Sequence, residues 1–481
     1  MNNKRGINEM NLPHPFLARM QELLGEEYER FVQALVCEDN PVSLRLNSGK
    51  GVTTIRNARQ VPWSGGVGYY LSVRPTFTFD PMFHAGAYYV QEASSMFLGS
   101  VIKQYIDRPV RYLDLCAAPG GKSTHALSLL PQGSLVVSNE VVRQRANILA
   151  ENITKWGSPY SVVTNNMPAD WGRWNNYFDV IATDVPCSGE GMFRKDETAI
   201  AEWSLDNVTH CASRQQSILS DVWDALRPGG LLIYSTCTYN VEENECMVQY
   251  LVRTFGAEPL SVAIEPQWGI AGALKGDAPV YRFMPHSTQG EGLFMALLRK
   301  PGDSDNSCEY PPYRREKKKK QSGKVKPMPI PHEVKQWLKE DADVVFTADE
   351  TAVTALPALY ADDIQAMQHD FNLLHAGIPL ATGKGKDFIP TQALALSAML
   401  RREAFTTCEV SLDMALSYLR RESIVLPEGT SRGYVLLTYN TLPLGWVKNL
   451  GNRANNLYPQ EWRIRSPHNP DVIIDAGVEV R

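Results

Sequence analysis

The fold of this chain is decided by one stretch, Leu113-Asp114-Leu115-Cys116-Ala117-Ala118-Pro119-Gly120-Gly121-Lys122-Ser123. A short apolar run ends here in a glycine turn, and a helical pattern follows. Gly120 and Gly121 allow the backbone to turn tightly and to approach a ligand closely. Free N–H groups at the start of the next helix attract negative charge. The stretch is not a Walker A loop, which would need glycine at position 116. It predicts a strand and a helix joined by a ligand-binding turn.

The same alternation of strand, turn and helix continues along the chain. Candidate strands cover 111–116, 134–140, 160–166, 178–184 and 231–237. Short β-branched or aromatic runs separated by helical patterns predict an α/β fold with a doubly wound parallel sheet.

Acidic and amide side chains follow the second and third of these strands. Ligands of doubly wound sheets bind outside the carboxyl ends of the strands, and an acid at the tip of the second strand binds ribose hydroxyls. Glu140 occupies that position. Asn166 or Asp170 is the candidate adenine contact, although either could equally be a turn-forming residue. A glycine turn followed by a spaced acid favours a nucleotide-like cofactor.

Two cysteines follow neighbouring strands, in Asp184-Val-Pro-Cys187 and in Ser235-Thr-Cys237. We expect both thiols to face one crevice, because the carboxyl ends of parallel strands share one edge of the sheet. Cys211 and Cys246 fall inside helical patterns, where a cysteine is usually a small buried hydrophobe.

Two thiols beside an acid suit methylation of a pyrimidine at carbon 5. Addition of a thiolate to carbon 6 makes carbon 5 nucleophilic. Asp184 could stabilise charge near ring nitrogen 3, and the second thiol could assist release. Lys122 is one source of the positive charge that a thiolate needs. The residues alone leave open which thiol adds to the ring.

Bulk composition excludes several classes of protein. No apolar run is long enough to span a membrane, and the first residues do not resemble a signal peptide, so we expect a cytoplasmic protein. The eight cysteines form no CxxC pair, which predicts free thiols and no bound metal. A net charge of −5 does not by itself indicate nucleic-acid binding, so that prediction depends on local patches.

Changes in pattern divide the chain into five parts. We expect an N-terminal α+β extension at 1–85 with a helix over 16–36, the parallel sheet at 86–300, a flexible linker at 301–330, an intermediate region at 331–420, and barrel-like strands at 421–481. Residues 331–481 are predicted to be separate from the sheet. Within the linker, 314–326 contains eight basic residues and one acidic residue. It is either a solvated tether or a phosphate-binding strap.

Together these motifs resemble the NOL1/NOP2/Sun family of RNA 5-methylcytidine methyltransferases. The resemblance covers about 40–300 and rests on the stretch at 116–122, on Asp-Val-Pro-Cys-Ser-Gly-Glu-Gly at 184–191, and on Tyr-Ser-Thr-Cys at 234–237. It implies a Rossmann-like domain that uses S-adenosylmethionine. Cofactor contacts would come from 116–122, Glu140 and Asp184. The family has an acid where this chain has Asn166, which departs from the pattern.

The resemblance also assigns the two thiols. It implies that Cys237 is the nucleophile and that Cys187 assists release, whereas DNA cytosine methyltransferases use the thiol after proline. The residues at 445–448 and 451–459 resemble the PUA-like RNA-binding tail of family members that modify small-subunit ribosomal RNA. The implied partner is 16S ribosomal RNA or the small ribosomal subunit, bound by a monomer. Two alternatives remain open, a transfer-RNA methyltransferase of the same family and a ribosome-assembly factor without catalysis.

Overall fold

A computed structural model describes residues 12–37, 41–302, 328–384 and 387–480. The basic run at 314–326 lies outside the described residues. Within these ranges, no helix is long and apolar enough to cross a membrane.

The α-helices are α1 (His14–Leu24), α2 (Tyr28–Cys37), α3 (Pro81–His84), α4 (Leu98–Tyr105), α5 (Gly121–Leu129), α6 (Arg143–Trp156), α7 (Pro168–Trp171), α8 (Glu197–Glu202), α9 (Leu205–Val222), α10 (Glu245–Phe255), α11 (His332–Lys335), α12 (Ala361–Asp370), α13 (Gln392–Leu396) and α14 (Leu412–Leu419). The strands are β1 (Val42–Leu46), β2 (Val52–Ile55), β3 (Ala58–Gln60), β4 (Gly68–Leu71), β5 (Tyr88–Val90), β6 (Arg111–Asp114), β7 (Leu135–Asn139), β8 (Ser161–Thr164), β9 (Phe178–Asp184), β10 (Leu226–Thr236), β11 (Glu258–Leu260), β12 (Val280–Phe283), β13 (Leu293–Arg299), β14 (Val344–Ala348), β15 (Ala352–Pro357), β16 (Leu373–Ala376), β17 (Ile378–Lys384), β18 (Asp387–Pro390), β19 (Thr406–Glu409), β20 (Gly433–Tyr439), β21 (Leu442–Asn449), β22 (Ala454–Asn456) and β23 (Val478–Val480).

A nine-stranded sheet forms the centre of the molecule, in the order β11-β13-β10-β9-β6-β7-β8-β16, with β12 also paired to β13. Strands β6 to β10 are parallel to their neighbours within this group, and β13 runs antiparallel to β10. Every residue of β6, β7 and β8 is buried, as expected for parallel strands covered on both faces. The predicted α/β fold with a doubly wound sheet is confirmed. Each of the five predicted strands overlaps an observed one.

The N-terminal part folds as a small sheet, β3-β4-β1-β5, beside two helices. The single helix expected over 16–36 is wrong, because it is divided into α1 and α2. Gly25 ends α1 with φ +54°, a conformation that favours glycine, and a short turn follows it. The small sheet also includes β5, which lies beyond the expected boundary at residue 85.

The prediction that 331–481 is separate from the central sheet is wrong for β16 and α12. Strand β16 pairs antiparallel with β8 and extends the central sheet. Residues of α12 belong to the same apolar core as β6 and β9. Only four residues, Leu-Leu-His-Ala, form β16, and they show no alternation. Sequence pattern therefore could not assign it to a partner more than 200 residues away.

Two further sheets belong to the C-terminal half. One has the order β14-β15-β17-β18 and the other β19-β20-β21-β22, so the expected strand pair near 433–448 is present as β20 and β21. Strand β23 returns to the N-terminal part and pairs with β2. The N-terminal part and the last described strand are thereby packed together.

A chain ending at residue 302 is expected to lose stability severely. Burial of Ile364, Met367 and Phe371, which are at most 7% exposed, contributes about 1.5–3 kcal/mol each, a large share of the stability of an ordinary domain. The matched control is a chain ending at residue 384, which keeps α12 and β16. Soluble yield and thermal unfolding should favour the longer chain clearly. Equal unfolding temperatures would show that the sheet does not depend on this segment.

Candidate active site

The glycine turn predicted from sequence joins β6 to α5. Gly120 precedes α5 with φ +113°, and a β-carbon there would lie 3.2 Å from Cδ1 of Leu149. The positive φ therefore favours glycine here, and a larger residue would also press on Leu149. Ala117 and Ala118 are buried, and the peptide bond between Ala118 and Pro119 is cis. Burial raises the pKa of the Cys116 thiol to about 12, so this sulfur is neutral.

A buried arginine from the N-terminal sheet forms hydrogen bonds with the first turn of α5. Arg45 of β1 donates to the carbonyl oxygen of Gly121 at 3.3 Å and to that of Thr124 at 3.2 Å. Its guanidinium also lies 4.4 Å from the ring centre of Trp156. Burial lowers the pKa of Arg45 to about 9, with Tyr89 acting in the opposite direction. Sequence analysis missed this residue, although an arginine in the apolar run Val42–Leu46 was a usable signal.

Lys122 and Asp184 form an ion pair across the crevice above the sheet. Lys122 Nζ lies 2.8 Å from Asp184 Oδ2, and Ser235 donates to Asp184 Oδ1 at 2.9 Å. Burial alone would lower the pKa of Lys122, but Asp184, Asp114 and Cys237 together raise it. Lys122 therefore carries a positive charge, and Cys237 is one of the groups that interact with it electrostatically.

Asp114 is a second acid at this edge, and it was not predicted as a site residue. Ser123 donates to its Oδ2 at 2.6 Å, whereas its Oδ1 is buried and has no partner among the residues described. Burial raises the pKa of Asp114 to about 7, opposed by Ser123 and Lys122. A buried acceptor without a partner is costly unless a ligand or water satisfies it. This orphaned oxygen next to the glycine turn fits a ligand site.

The two cysteines that follow β9 and β10 are in contact. Cys187 Sγ lies 3.3 Å from Cys237 Sγ, and both are free thiols. The pKa of Cys187 is raised well above its usual value, first by its hydrogen bond with Cys237 and then by burial. The raised pKa keeps the Cys187 thiol protonated while the two sulfurs are in contact. Cys211 is buried within α9, as expected for a packing residue.

Two buried carboxylates hold the cysteine loops together. Glu243 accepts hydrogen bonds from Ser188 N at 3.0 Å and from Asn240 Nδ2 at 2.8 Å. Glu190 accepts from Tyr239 N at 2.7 Å and from Asn240 N at 2.9 Å. Glu243 thus binds groups beside both cysteines, and Glu190, which belongs to the loop of Cys187, binds the backbone that follows Cys237.

Asn240 fixes the turn that precedes α10. Its Oδ1 accepts from Glu243 N at 2.9 Å, and α10 begins at Glu245. The intervening turn keeps the Glu243 side chain between the two cysteine loops. Sequence analysis missed this network because the sequence does not distinguish a buried glutamate from an exposed one near the start of a helix.

Replacing Glu243 by alanine should reduce both stability and turnover. The change leaves the buried N–H of Ser188 without an acceptor, at about 1–3 kcal/mol, and removes one of the acceptors of Gln215 and of Asn240. Misplacing a reacting group by about 1 Å can cost 10²-fold in rate. Glu242→Ala is the matched control, because Glu242 pairs with Arg19 at the surface, where ion pairs contribute little. Urea unfolding and kcat measure the effect. If both variants behave alike, the network does not position the thiols.

Glu140 and Asn166 lie at the same carboxyl edge, following β7 and β8. Glu140 Oε1 accepts from Val142 N at 2.9 Å, and its Oε2 lies 3.5 Å from Arg145 Nη1. Asn166 Oδ1 accepts from Asn372 N at 3.0 Å, and its Nδ2 donates to Asp170 at 3.2 Å. The Asn166 amide is thus held by the segment that precedes β16, which sequence analysis did not predict.

Apolar side chains are exposed beside these two residues. Val141 is 40% exposed and Met167 is 57% exposed, next in sequence to Glu140 and Asn166. Glu140 is buried and Asn166 is half-buried, and a few polar groups among apolar side chains are typical of a small-molecule site.

The order of the central sheet, with a glycine turn after β6 and polar residues at the ends of β7, β8 and β9, defines a Rossmann-like methyltransferase domain. Residues 107–299 match the family described as 16S rRNA methyltransferase RsmB/F. Residues 12–93 match the N-terminal domain of 16S rRNA methyltransferase RsmF, and 405–464 match the methyltransferase RsmF PUA domain.

Relatives agree with these matches over most of the chain. Ribosomal RNA small subunit methyltransferase F of Serratia proteamaculans is 30% identical, over 78% of this chain and 78% of its own. The protein of the same name from Erwinia tasmaniensis is 28% identical, over 93% of this chain and 96% of its own. The chain therefore belongs to the RsmF family of 16S rRNA methyltransferases, with an RNA-binding PUA domain near its C-terminus.

Solved structures support the fold. A methyltransferase homolog protein from Pyrococcus horikoshii has a TM-score of 0.52 and 24% identity, covering 61% of this chain and 100% of its own. NSun6 from the same organism, described with SFG, has a TM-score of 0.52 and 20% identity, covering 60% and 99%.

Proposed function

We propose that the chain methylates carbon 5 of a cytidine in 16S ribosomal RNA with S-adenosylmethionine, through a covalent bond between Cys237 and the base. The observation that carries this proposal is the contact between two free thiols, 3.3 Å apart, beside the ion pair of Lys122 and Asp184. Methylation at carbon 5 needs one thiol to add and a second group to assist release. Membership of the RsmF family indicates 16S rRNA as the substrate, and the two thiols suit methylation at carbon 5.

Cys237 is the nucleophile in this proposal. It lies in hydrogen-bond contact with Cys187, and it interacts electrostatically with the ammonium group of Lys122. Nearby positive charge favours the thiolate, which is the reactive form. The bond from Cys237 Sγ to carbon 6 converts the carbon 5–carbon 6 double bond into an enamine-like system. Asp184, which Lys122 and Ser235 hold in place, lies at the same edge, where a proton shared with ring nitrogen 3 would neutralise the negative charge that the thiolate brings to the ring.

Cys187 assists release because its environment changes when the adduct forms. Its hydrogen bond to Cys237 is the largest cause of its raised pKa. Once Cys237 is bonded to carbon, its sulfur is a neutral thioether, so Cys187 loses its proton to solvent more readily. The thiolate of Cys187 can then take the proton from carbon 5. Electrons of that C–H bond restore the double bond, and the bond from Cys237 to carbon 6 breaks.

S-adenosylmethionine, when bound, supplies an electrophilic methyl group. The turn at 116–122 and Asp114 would hold its charged end, and Glu140 would bind ribose hydroxyls. Val141 and Met167 would contact the adenine faces. Asn166 can still donate to adenine, although Asn372 and Asp170 already occupy part of its amide. The ligand SFG, an analogue of this donor, is part of the description of the structural neighbour NSun6.

A methyl-transfer assay with labelled donor tests the proposal. The substrates are small ribosomal subunits, protein-free 16S rRNA and transfer RNA, and the product is identified by nucleoside analysis. We expect label in 5-methylcytidine of 16S rRNA. Label in transfer RNA alone would favour the other member of the family, and RNA binding without any labelled nucleoside would favour an assembly factor. Label in a base other than cytosine would refute the chemistry.

A further inference from the structure

A cavity of about 390 Å³ lies where three parts of the chain meet, and none of the site residues described above lines it. Its walls are the turn at 49–51 from the N-terminal part, the segment 395–403 that follows α13, and the first residues of β21. A volume of this size is within the range of ligand pockets in proteins.

The charged groups around this cavity are mostly basic. Lys50, Lys339 and Arg402 line it, against one acid, Glu403. In the described part of the chain, none of the three cations forms an ion pair, although neighbours such as Lys155 and Arg401 do. The pKa of Lys50 is lowered to about 7, first by burial and then by the charges of Arg402 and Lys155. Three basic residues therefore meet here against a single carboxylate, that of Glu403.

The wall of the cavity is fixed to the C-terminal end of α6. Ala398 N donates to the carbonyl oxygen of Gly157 at 3.0 Å. A β-carbon on Gly157, which has φ +81°, would lie 2.1 Å from the carbonyl oxygen of Leu396, so the two segments are in close backbone contact. Arg402 Nη1 donates to Thr441 O at 2.9 Å. The backbone around the cavity is therefore held in place by hydrogen bonds and close packing.

Helix capping explains part of this arrangement. Lys50 Nζ donates to Lys155 O at 2.6 Å, near the end of α6, where a cation stabilises unpaired carbonyl groups. Capping does not account for Lys339 and Arg402, which come from other parts of the chain and line the same space. An anion bound among the three cations would balance all of them.

We propose that this cavity binds a phosphodiester group of the substrate RNA backbone. The inference rests on the proposed function, because that RNA is the substrate. Phosphate contacts position RNA without reading its sequence, which suits lysine and arginine side chains on a rigid frame.

Helix α6 separates the cavity from the end of the site at Glu140. Its 14 residues span about 21 Å, from the end near Glu140 to the end at the cavity. The cavity therefore can hold the RNA backbone outside the reacting crevice while the target base is splayed out, at a cost of a few kcal/mol.

The salt dependence of RNA binding tests the proposal. The variant Lys339→Glu/Arg402→Glu is compared with Lys103→Glu/Arg253→Glu, which reverses two exposed charges elsewhere. The measured quantity is Kd for a 16S rRNA transcript across a salt series. We expect the slope of log K against log salt to fall by about 0.7–0.9 for each phosphate that the protein no longer neutralises, in the cavity variant only. An unchanged slope, or an equal fall in the control, would overturn the proposal.

Donor binding separates this test from that of the proposed function. Both variants should bind S-adenosylmethionine like the wild type, which shows that they are folded. If charge reversal prevents folding, Lys339→Gln/Arg402→Gln replaces it with the same expected change of slope. A wild type that binds 16S rRNA but forms no 5-methylcytidine would refute the proposed function, while the slopes would still decide whether the cavity binds phosphate.

Discussion

Cys237→Ala is expected to abolish methyl transfer while leaving binding of S-adenosylmethionine within about twofold of the wild type, because this sulfur forms the bond to the base and is not a donor contact. Removing a nucleophile of this kind typically costs at least about 10⁴-fold in kcat. Single-turnover rates on 16S rRNA and calorimetric titration with donor measure the two effects.

Cys211→Ala is the matched control for this prediction. Cys211 is a buried thiol in α9 that takes no part in the proposed chemistry. Its replacement should leave kcat near that of the wild type, with at most a modest change in stability from one small deleted side chain. Retained turnover in Cys237→Ala would refute the assignment of the nucleophile. Equal reductions of kcat in the two variants would show that the effect is structural.

Cys187→Ala is expected to trap the enzyme on its RNA. The bond from Cys237 to carbon 6 can still form and carbon 5 can still be methylated, but the thiol that takes the last proton is missing. A protein–RNA adduct that survives denaturation should therefore accumulate with donor present. Denaturing gel electrophoresis with labelled RNA measures its yield, which should approach one adduct per active enzyme molecule.

The double variant Cys187→Ala/Cys237→Ala controls for nonspecific cross-linking and should give no adduct. Cys187→Ser adds a second comparison, since a hydroxyl keeps the size of the thiol but is a weaker acid. An adduct in Cys237→Ala instead would reverse the two roles. The 3.3 Å contact between the sulfurs is compatible with either direction of attack, so the experiment distinguishes what distance alone does not.

The central sheet and the contact of the two thiols could be predicted from sequence because their signals are local. Each strand is a short run of buried residues, and the carboxyl ends of parallel strands necessarily share an edge. Cys187 and Cys237 follow adjacent strands, β9 and β10, so their proximity follows from topology. The resemblance of the motifs to the family indicated which of the two thiols attacks the base. The spacing of the residues does not indicate this.

The features that escaped prediction depend on contacts between distant parts of the chain. Arg45 lies beneath α5, which is about 80 residues away, and β16 adds to a sheet whose other strands end before residue 300. The sequence contains Glu190 and Glu243 but does not show that they are buried, because their burial depends on how the two cysteine loops fold against each other. Such contacts are fixed by tertiary packing, which residue patterns do not encode.

The most direct test of the covalent mechanism is to locate the protein–base bond itself. Wild-type enzyme is incubated with S-adenosylmethionine and a 16S rRNA transcript containing 5-fluorocytidine, whose fluorine cannot leave as a proton does. After protease and nuclease digestion, tandem mass spectrometry identifies the modified residue. We predict a methylated fluorocytidine attached to Cys237. Attachment to Cys187, or methylated product with no trapped enzyme, would contradict the mechanism.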